Sequence, residues 1–363
     1  MIGTFVAYKG SNMKVKCLPM GTIPYDNIDY AARMVEKLFE KNPALFLLPK
    51  LSEEDNVEKY TLKGFPCTKF KDGKYLIKTS TSASEGALEE LDQDYNNLTL
   101  ENMEKYSFET VFMKKYLAII KKYKCPNATF NLLGPYTISQ KLHNVNKGEE
   151  DLMLITEKLY KKLFVQAICM KALWFINEIK KACPTTKPIV VLEEPMLNKI
   201  GNMKRESEVF TEETLIGIYS KIVEKLKEAG AMVAVHSTEK SAWQVPIKAG
   251  VDIISFDAYN NPNNLCIIPE IVTDYLENGG KINWAIIPVI SESAVKALSI
   301  DFLTTRLINT MQGLILAGVP EHLVYNHATV STNGNTDKLP IIFSEKALML
   351  STQLAKKIPT VKN

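Results

Sequence analysis

From about residue 185 onward the chain repeats one unit: a short β-branched run, a helical period and a glycine stop. Residues 189–192 read as a buried strand. Leu215, Ile218, Ile222 and Leu226 then step by three and four, the spacing of one helix face, and Gly230 ends that helix. Residues 232–235, 253–256 and 282–287 read as the next strands, separated by helices near 239–248 and 265–278. A helix over 301–317, a strand near 323–330 and a helix near 344–357 finish the pattern. Ala-Gly dipeptides at 229–230, 249–250 and 317–318 each fall between a helix and the strand that follows. Strands alternating with helices in this way point to an α/β fold with a parallel sheet.

The first half is less regular. Residues 15–18 and 45–48 read as strands around a helix at 28–41, and 129–133 as a third strand. Residues 60–79 resemble a hairpin turning at Asp72-Gly73. Helical patterns cover 85–98, 107–123 and 150–182, the last followed by Pro184. Eight strands with helices between them describe a (β/α)8 TIM barrel, a single domain over 1–363 with an insertion at 50–125 between strands 2 and 3. A doubly wound open sheet is the rival, weakened because no phosphate-binding glycine fingerprint follows the first strand.

Composition narrows the function classes. A hydrophobic fraction of 46% with 23% charged residues supplies a sizeable core and excludes a disordered chain. The net charge of +3 gives no general attraction to nucleic acid or to acidic membranes. Only Arg33, Arg205 and Arg306 are arginines, so few guanidinium forks exist for a polyanionic ligand. No 18-residue apolar run is present, and Lys9, Lys14 and Lys16 interrupt any signal-peptide layout. The six cysteines form no C-x-x-C pair and read as small buried hydrophobes in a reducing compartment. A cytoplasmic protein without membrane or nucleic-acid partners is the expectation.

A barrel gathers its functional groups at the C-terminal strand ends. Strand 1 ends in Pro19-Met20-Gly21-Thr22, strand 3 in Gly134-Pro135-Tyr136 and strand 4 in Glu193-Glu194-Pro195. Strand 5 ends in His236-Ser237-Thr238, strand 6 in Asp257-Ala258-Tyr259, and the last loop runs Ser331-Thr332-Asn333-Gly334-Asn335. Strand alternation points one of the two glutamates inward and the other aside. Each could clamp substrate or act as general acid or base, or could bond backbone amides as a structural carboxylate. His236 could serve as acid, base or metal ligand, or be a satisfied core histidine. Asp257 stands one module later, close enough for a hydrogen bond to His236. The expected catalytic groups are His236, Asp257, Glu193 and Glu194. Met20, Gly21, Thr22, Tyr136, Thr238, Tyr259, Asn333 and Asn335 are expected to contact substrate.

Four segments resemble the cobalamin-independent methionine synthase and uroporphyrinogen decarboxylase superfamily of barrels, closest to its short methionine-synthase-like proteins. They are Leu18-Pro-Met-Gly-Thr-Ile-Pro24, Leu133-Gly-Pro-Tyr136, Val191-Leu-Glu-Glu-Pro-Met196 and Gly250-Val-Asp-Ile-Ile-Ser-Phe-Asp-Ala-Tyr259. The resemblance implies a methyltransferase-like enzyme and a thiol-activating zinc site with His, Cys, acid and Cys ligands. His236 matches the first ligand and Asp257 the acid, but Thr238 replaces the first cysteine and Gly334 or a neighbouring Asn the second. A complete zinc site is therefore expected to be absent, and no metal ligand is assigned. The resemblance implies a small-molecule substrate, with a folate, a methylated corrinoid protein or a methylated small molecule as methyl donor. Two rivals stand beside it: a non-catalytic barrel binding a small molecule or corrinoid-related ligand, and a tetrapyrrole decarboxylase. The last is disfavoured because its arginine-rich N-terminal motif has no counterpart before Arg33.

Overall fold

The β-branched runs of the second half fold as strands because their side chains are buried on both faces, as a helix-covered parallel sheet requires. The computed structural model describes residues 16–145, 154, 158–202 and 211–360. Its strands are β1 (Thr68–Lys71), β2 (Lys74–Ile77), β3 (Asn127–Leu133), β4 (Leu142–Asn144), β5 (Lys187–Glu193), β6 (Met232–Ser237), β7 (Ile253–Asp257), β8 (Lys281–Ile287) and β9 (Ala328–Thr332). Six of them form one curled, wholly parallel sheet in the order β3-β5-β6-β7-β8-β9. The helices Glu212–Glu228, Gln244–Lys248 and Ile300–Leu316 each end at an alanine followed by Gly230, Gly250 or Gly318. All three glycines have positive φ, where a Cβ would be strained, so the Ala-Gly pairs are chain-reversal points.

Two apolar regions lie on either side of the sheet. Leu18, Met20, Ile189, Val191, Met232, Ala234 and Ile253 pack together on its concave face. Val190, Leu192, Val233, Val235, Ile254, Phe256 and Trp284 point the other way, into the larger core beneath the helices. That alternation is the period-2 rule of a strand.

The expected first two strands are present only as isolated parallel bridges. Cys17 bridges Val330, Thr22 bridges Leu47 and Ala44 bridges Thr129. Pro19, Pro24, Pro43 and Pro49 flank these bridges, and proline has no N–H to extend a ladder. The last strand also differs from expectation. Residues 321–326 form the helix Glu321–Asn326 behind Pro320, and β9 begins at Ala328. A short apolar run such as Leu323-Val324-Tyr325 satisfies helix and strand patterns alike, and a proline ahead of it favours the helix.

In the 50–125 region the hairpin β1–β2 turns at Asp72-Gly73, both with positive φ, as a two-residue hairpin turn needs. Strand β2 then pairs in parallel with β4, which the sequence reading lacks. The helix Val57–Leu62 lies at the C-terminal end of β3: Leu133 N–H donates to Thr61 Oγ1 at 3.2 Å, and the Tyr60 hydroxyl donates to the Asn131 carbonyl. Phe108 packs against Tyr60, Trp174 and Phe175, joining the region to the long helix Lys158–Ala182. The six cysteines are free, three buried and three half-buried.

Candidate functional site

The register of the parallel sheet lines up one row of inward-facing polar residues. Glu193 pairs with His236, His236 with Ser255, Ser255 with Asn283, and Asn283 with Thr329. Thr329 donates to Asn283 Oδ1 at 3.0 Å. Asn283 Nδ2 donates to Ser255 Oγ at 2.7 Å and to Ser331 Oγ at 2.8 Å. Ser255 Oγ meets His236 Nδ1 at 2.9 Å. At the other end of the row Asn131 Nδ2 donates to Glu193 Oε1 at 2.5 Å. This belt satisfies polar groups that would otherwise be costly at such depth.

Above it lies a cavity of about 270 Å³, just under the usual range of small-molecule sites. The expected residues Met20, Gly21, Glu193, His236, Thr238 and Asn335 all line it. Pro195, Ser237, Thr332 and Gly334 also line it, and the sequence reading leaves them out of the site. Gly21 has φ +94°, and a Cβ there would collide with the Asn335 side-chain oxygen, so this glycine permits the close approach of the two loops. That oxygen accepts from Thr22 N–H at 3.0 Å, and the Thr22 hydroxyl donates to Asp337 at 2.5 Å.

The remaining expected residues stand around the cavity without lining it. Glu194 is fully buried on the helix side of β5. It accepts from Tyr136 N–H at 3.0 Å, Thr137 N–H at 2.8 Å, the Thr137 hydroxyl at 2.5 Å and the Tyr219 hydroxyl. Gly134 is packed so tightly under this carboxylate that any Cβ would overlap it. Asp257 accepts from Tyr259 N–H and Asn260 N–H at 3.1 and 3.0 Å, and from the side-chain amides of Asn260 and Asn333 at 2.6 and 3.2 Å. His236 thus bonds to Ser255, and the expected His236–Asp257 hydrogen bond does not form. Tyr259 lies under the Arg306 guanidinium, 4.8 Å from the ring centre. Asn333 accepts from Val289 N–H at 3.1 Å.

Burial sets the electrostatics. It pushes His236 down to about 4, against a smaller upward pull from Asp257, so the imidazole is neutral at physiological pH. Nδ1 is engaged with Ser255, which leaves Nε2 for a ligand. Burial also raises Glu193, and it pushes Glu194 up to about 7 despite four donors that favour the carboxylate.

The residues do not fit the zinc site implied by the resemblance. Thr238 and Gly334 line the cavity where thiolates would be needed, and Asp257 is occupied by four protein donors. Among the described residues no group of three or more His, Cys, Asp or Glu side chains could hold a metal ion. Catalytic zinc takes three protein ligands as a rule. Likewise, no described helix is long and apolar enough to cross a membrane.

No protein-family model matches the chain, and no curated protein is similar to it in sequence. Among solved structures it is similar to a methyltransferase from Methanosarcina mazei, with a TM-score of 0.52 at 11% identity over 91% of this chain and 87% of that one. It is more distantly similar to an endoglucanase from Pseudomonas stutzeri, with a TM-score of 0.31 at 14% identity over 65% of this chain and 85% of that one. A sugar phosphate isomerase/epimerase from Parabacteroides distasonis gives 0.33 at 12% identity over 78% and 94%. The first of these likenesses extends to the fold; the other two are too weak to carry an argument.

Proposed function

We propose that the protein is a methyltransferase-like enzyme of the methionine synthase and uroporphyrinogen decarboxylase superfamily, acting without the superfamily's complete zinc site. We further propose that the bridged segments at 17–22 and 44–47 close the curled sheet into a (β/α)8 barrel, with the 50–125 region beside its mouth. The observation that carries the reading is the in-register pair Glu193 and His236, lining one cavity at the C-terminal strand ends. The likeness in fold to the Methanosarcina mazei methyltransferase supports it.

In this reading the acceptor X–H is methylated to X–CH3, the donor keeps the electron pair of its broken bond to carbon, and the proton of X–H leaves. His236, held unprotonated by burial, takes that proton at Nε2. The belt through Ser255 and Asn283 fixes the ring's direction, and Glu193 orients the acceptor. Glu194 and Asp257 hold the frame: the first fixes the start of the helix Pro135–Lys141, the second ties the loop after β7 to Asn333.

The test follows loss of the methyl group from methylcobalamin, methyltetrahydrofolate and a panel of S-methylated small molecules. Turnover of one donor class is expected, falling by at least about 100-fold in folded His236→Ala. Turnover of none of them overturns the reading. Binding without turnover points instead to a barrel that kept its pocket and lost its chemistry.

A further inference from the structure

The opposite end of the curled sheet opens on a second and larger cavity, of about 1290 Å³, which shares no lining residue with the first. Lys16, Asn127, Lys187 and Met232 line it at the N-terminal strand ends. Lys37, on the helix Ile28–Phe39, and Lys41, in the turn after it, stand on its exposed rim. Ile189, Val191, Ala234 and Ile253 fill the concave face between this space and the polar belt. Function in barrel folds gathers at the C-terminal strand ends, so a group of cations at this end has a different origin.

Period-2 alternation turns these groups inward. Lys187 stands two residues before Ile189 and Lys16 two before Leu18, and both apolar residues lie on the concave face. Asn127 pairs with Lys187 in register. Lys281 pairs with Ile253 and leaves the sheet on that same face. Asn127 is 6% exposed, yet among the described residues nothing bonds its side-chain amide. A polar group at that depth is costly until something pairs with it. Lys187 is half-buried, and its amine meets no acceptor among the described residues. Lys16 Nζ donates only to neutral groups, the Ile358 carbonyl at 3.2 Å and the Thr360 hydroxyl at 3.5 Å. Burial lowers the pKa of Lys16 and of Lys281; at Lys281 Asp252 pulls the other way and Lys187 pushes further down. Asp252 is itself paired with Lys227 at 3.1 Å, and Glu40 is the one acid among the described lining residues. The stretches of sequence next to Lys16 and Thr360, residues 1–15 and 361–363, hold Lys9, Lys14 and Lys362 and neither Asp nor Glu.

We propose that this cavity is a second binding site, for a small phosphorylated molecule whose phosphate sits between Lys16 and Lys187 and accepts from the Asn127 amide. Lysine binds phosphate as a point charge, and a dianion answers two ammonium groups where a carboxylate answers one. Lys37 and Lys41 on the rim raise the local concentration of anions. Asn127 lies too deep to be reached by a nucleic-acid strand laid across that rim, whereas one phosphate on a short body can enter. Because it lies at the far end of the sheet from His236, the site is independent of the methyltransferase reading.

Calorimetric titration with glycerol 3-phosphate, inorganic pyrophosphate and glycerol tests this. Both phosphates should bind at least about 100-fold more tightly than glycerol, the gain of a pair of charge-assisted hydrogen bonds, and should weaken as salt rises. Lys187→Gln should weaken glycerol 3-phosphate at least about 10-fold and Asn127→Leu at least about 3-fold, while His236→Ala leaves it unchanged. Glycerol binding as well as the phosphates, an affinity unmoved in Lys187→Gln, or an affinity lost in His236→Ala overturns the proposal, as does no binding of either phosphate. If Lys187→Gln does not fold, lysine acetylation of the wild-type protein decides it. Glycerol 3-phosphate should slow acetylation of Lys16 and Lys187 and leave that of Lys74, on the hairpin, as it was; equal rates at all three overturn the site. A single-stranded RNA that binds more tightly than either phosphate, and loses as much in Lys187→Gln, would make this a nucleic-acid surface and overturn the small ligand.

Discussion

Adjacent in the chain, Glu193 and Glu194 end on opposite faces of β5, and burial acts on both. Glu194 is raised to about 7 from an ordinary 4.5, and His236, across the strand, is lowered to about 4 from 6.5. The two shifts have opposite consequences for stability. An acid raised by folding stabilises fully below 4.5, and that contribution is lost as pH rises through about 7. A histidine lowered by folding contributes above 6.5 and loses its contribution as pH falls through about 4. Each shift corresponds to about 3 kcal/mol, so between pH 4.5 and 6.5 the two slopes oppose one another. Relative to wild type, Glu194→Gln should become more stable as pH rises through this window, and His236→Gln less stable. Urea midpoints measured at half-unit steps of pH check both signs; parallel curves for all three proteins would remove the linkage. Gly134→Ala makes a separate demand on the same carboxylate. Its Cβ would overlap Glu194, so a loss of at least about 3 kcal/mol is expected in the same titrations.

At the scale of elements, the helix Val57–Leu62 is held at its C-terminal end by a lysine from elsewhere in the chain. Lys171, 2% exposed on the helix Lys158–Ala182, donates to the carbonyls of Tyr60 and Lys63 at 3.3 and 2.8 Å. Burial holds its amine down to about 8. Lys171→Met keeps the apolar stem and removes the donor, leaving two carbonyls short of a partner, for an expected loss of about 1–3 kcal/mol. Hydrogen exchange should quicken at residues 60–65 and stay slow in β6; equal protection in both proteins would show that the cap does not hold the helix. Features of this kind were not legible in the sequence, because a lone lysine in a helical pattern looks like a solvated one until its neighbours are known. The Asp72-Gly73 turn and the three Ala-Gly stops were legible because positive φ selects residue type locally. The strand ends were too, since β-branched runs mark them, and so His236, Glu193 and Thr238, which line one cavity, could be expected near one another. Ser255, Asn283 and Thr329 could not: a polar residue inside a strand shows which face it serves only once the register with four neighbours is fixed. Strand β4 is three residues long and exists by pairing with β2, so no local pattern announces it.

For the whole molecule the outstanding question is whether the curled sheet is a closed ring. A sheet ending at β3 and β9 would present two rows of unpaired edge groups, which parallel sheets seldom leave open. Here the edges are met by backbone hydrogen bonds of residues 16–47, among them four donated by Leu18, Ile23, Leu45 and Leu47. Leu18 N–H donates to the Val330 carbonyl at 3.0 Å and Ile23 N–H to that of Leu47 at 3.0 Å. Leu47 N–H donates to the Gly21 carbonyl at 3.2 Å and Leu45 N–H to that of Thr129 at 2.8 Å. Taken in order, these bonds run from β9 through 17–18, 21–23 and 44–47 to β3, which is the path a seventh and an eighth strand would take. Proline keeps both segments too irregular for long ladders, so closure rests on few bonds, and the four donors Leu18, Ile23, Leu45 and Leu47 are buried. If those bonds complete a ring, the four amides can exchange only when the sheet itself opens. Their opening free energies should then fall within about 1 kcal/mol of those for Val233 and Ile254 in the middle of the sheet. If the sheet is an open half-barrel with loops laid along its edges, the same amides should exchange with the loops, several kcal/mol sooner. Native-state hydrogen exchange at Leu18, Ile23, Leu45 and Leu47 therefore separates the two architectures. The outcome bears on the cavity as well, since Met20 and Gly21 form part of its wall and stand on the segment that closure would lock in place.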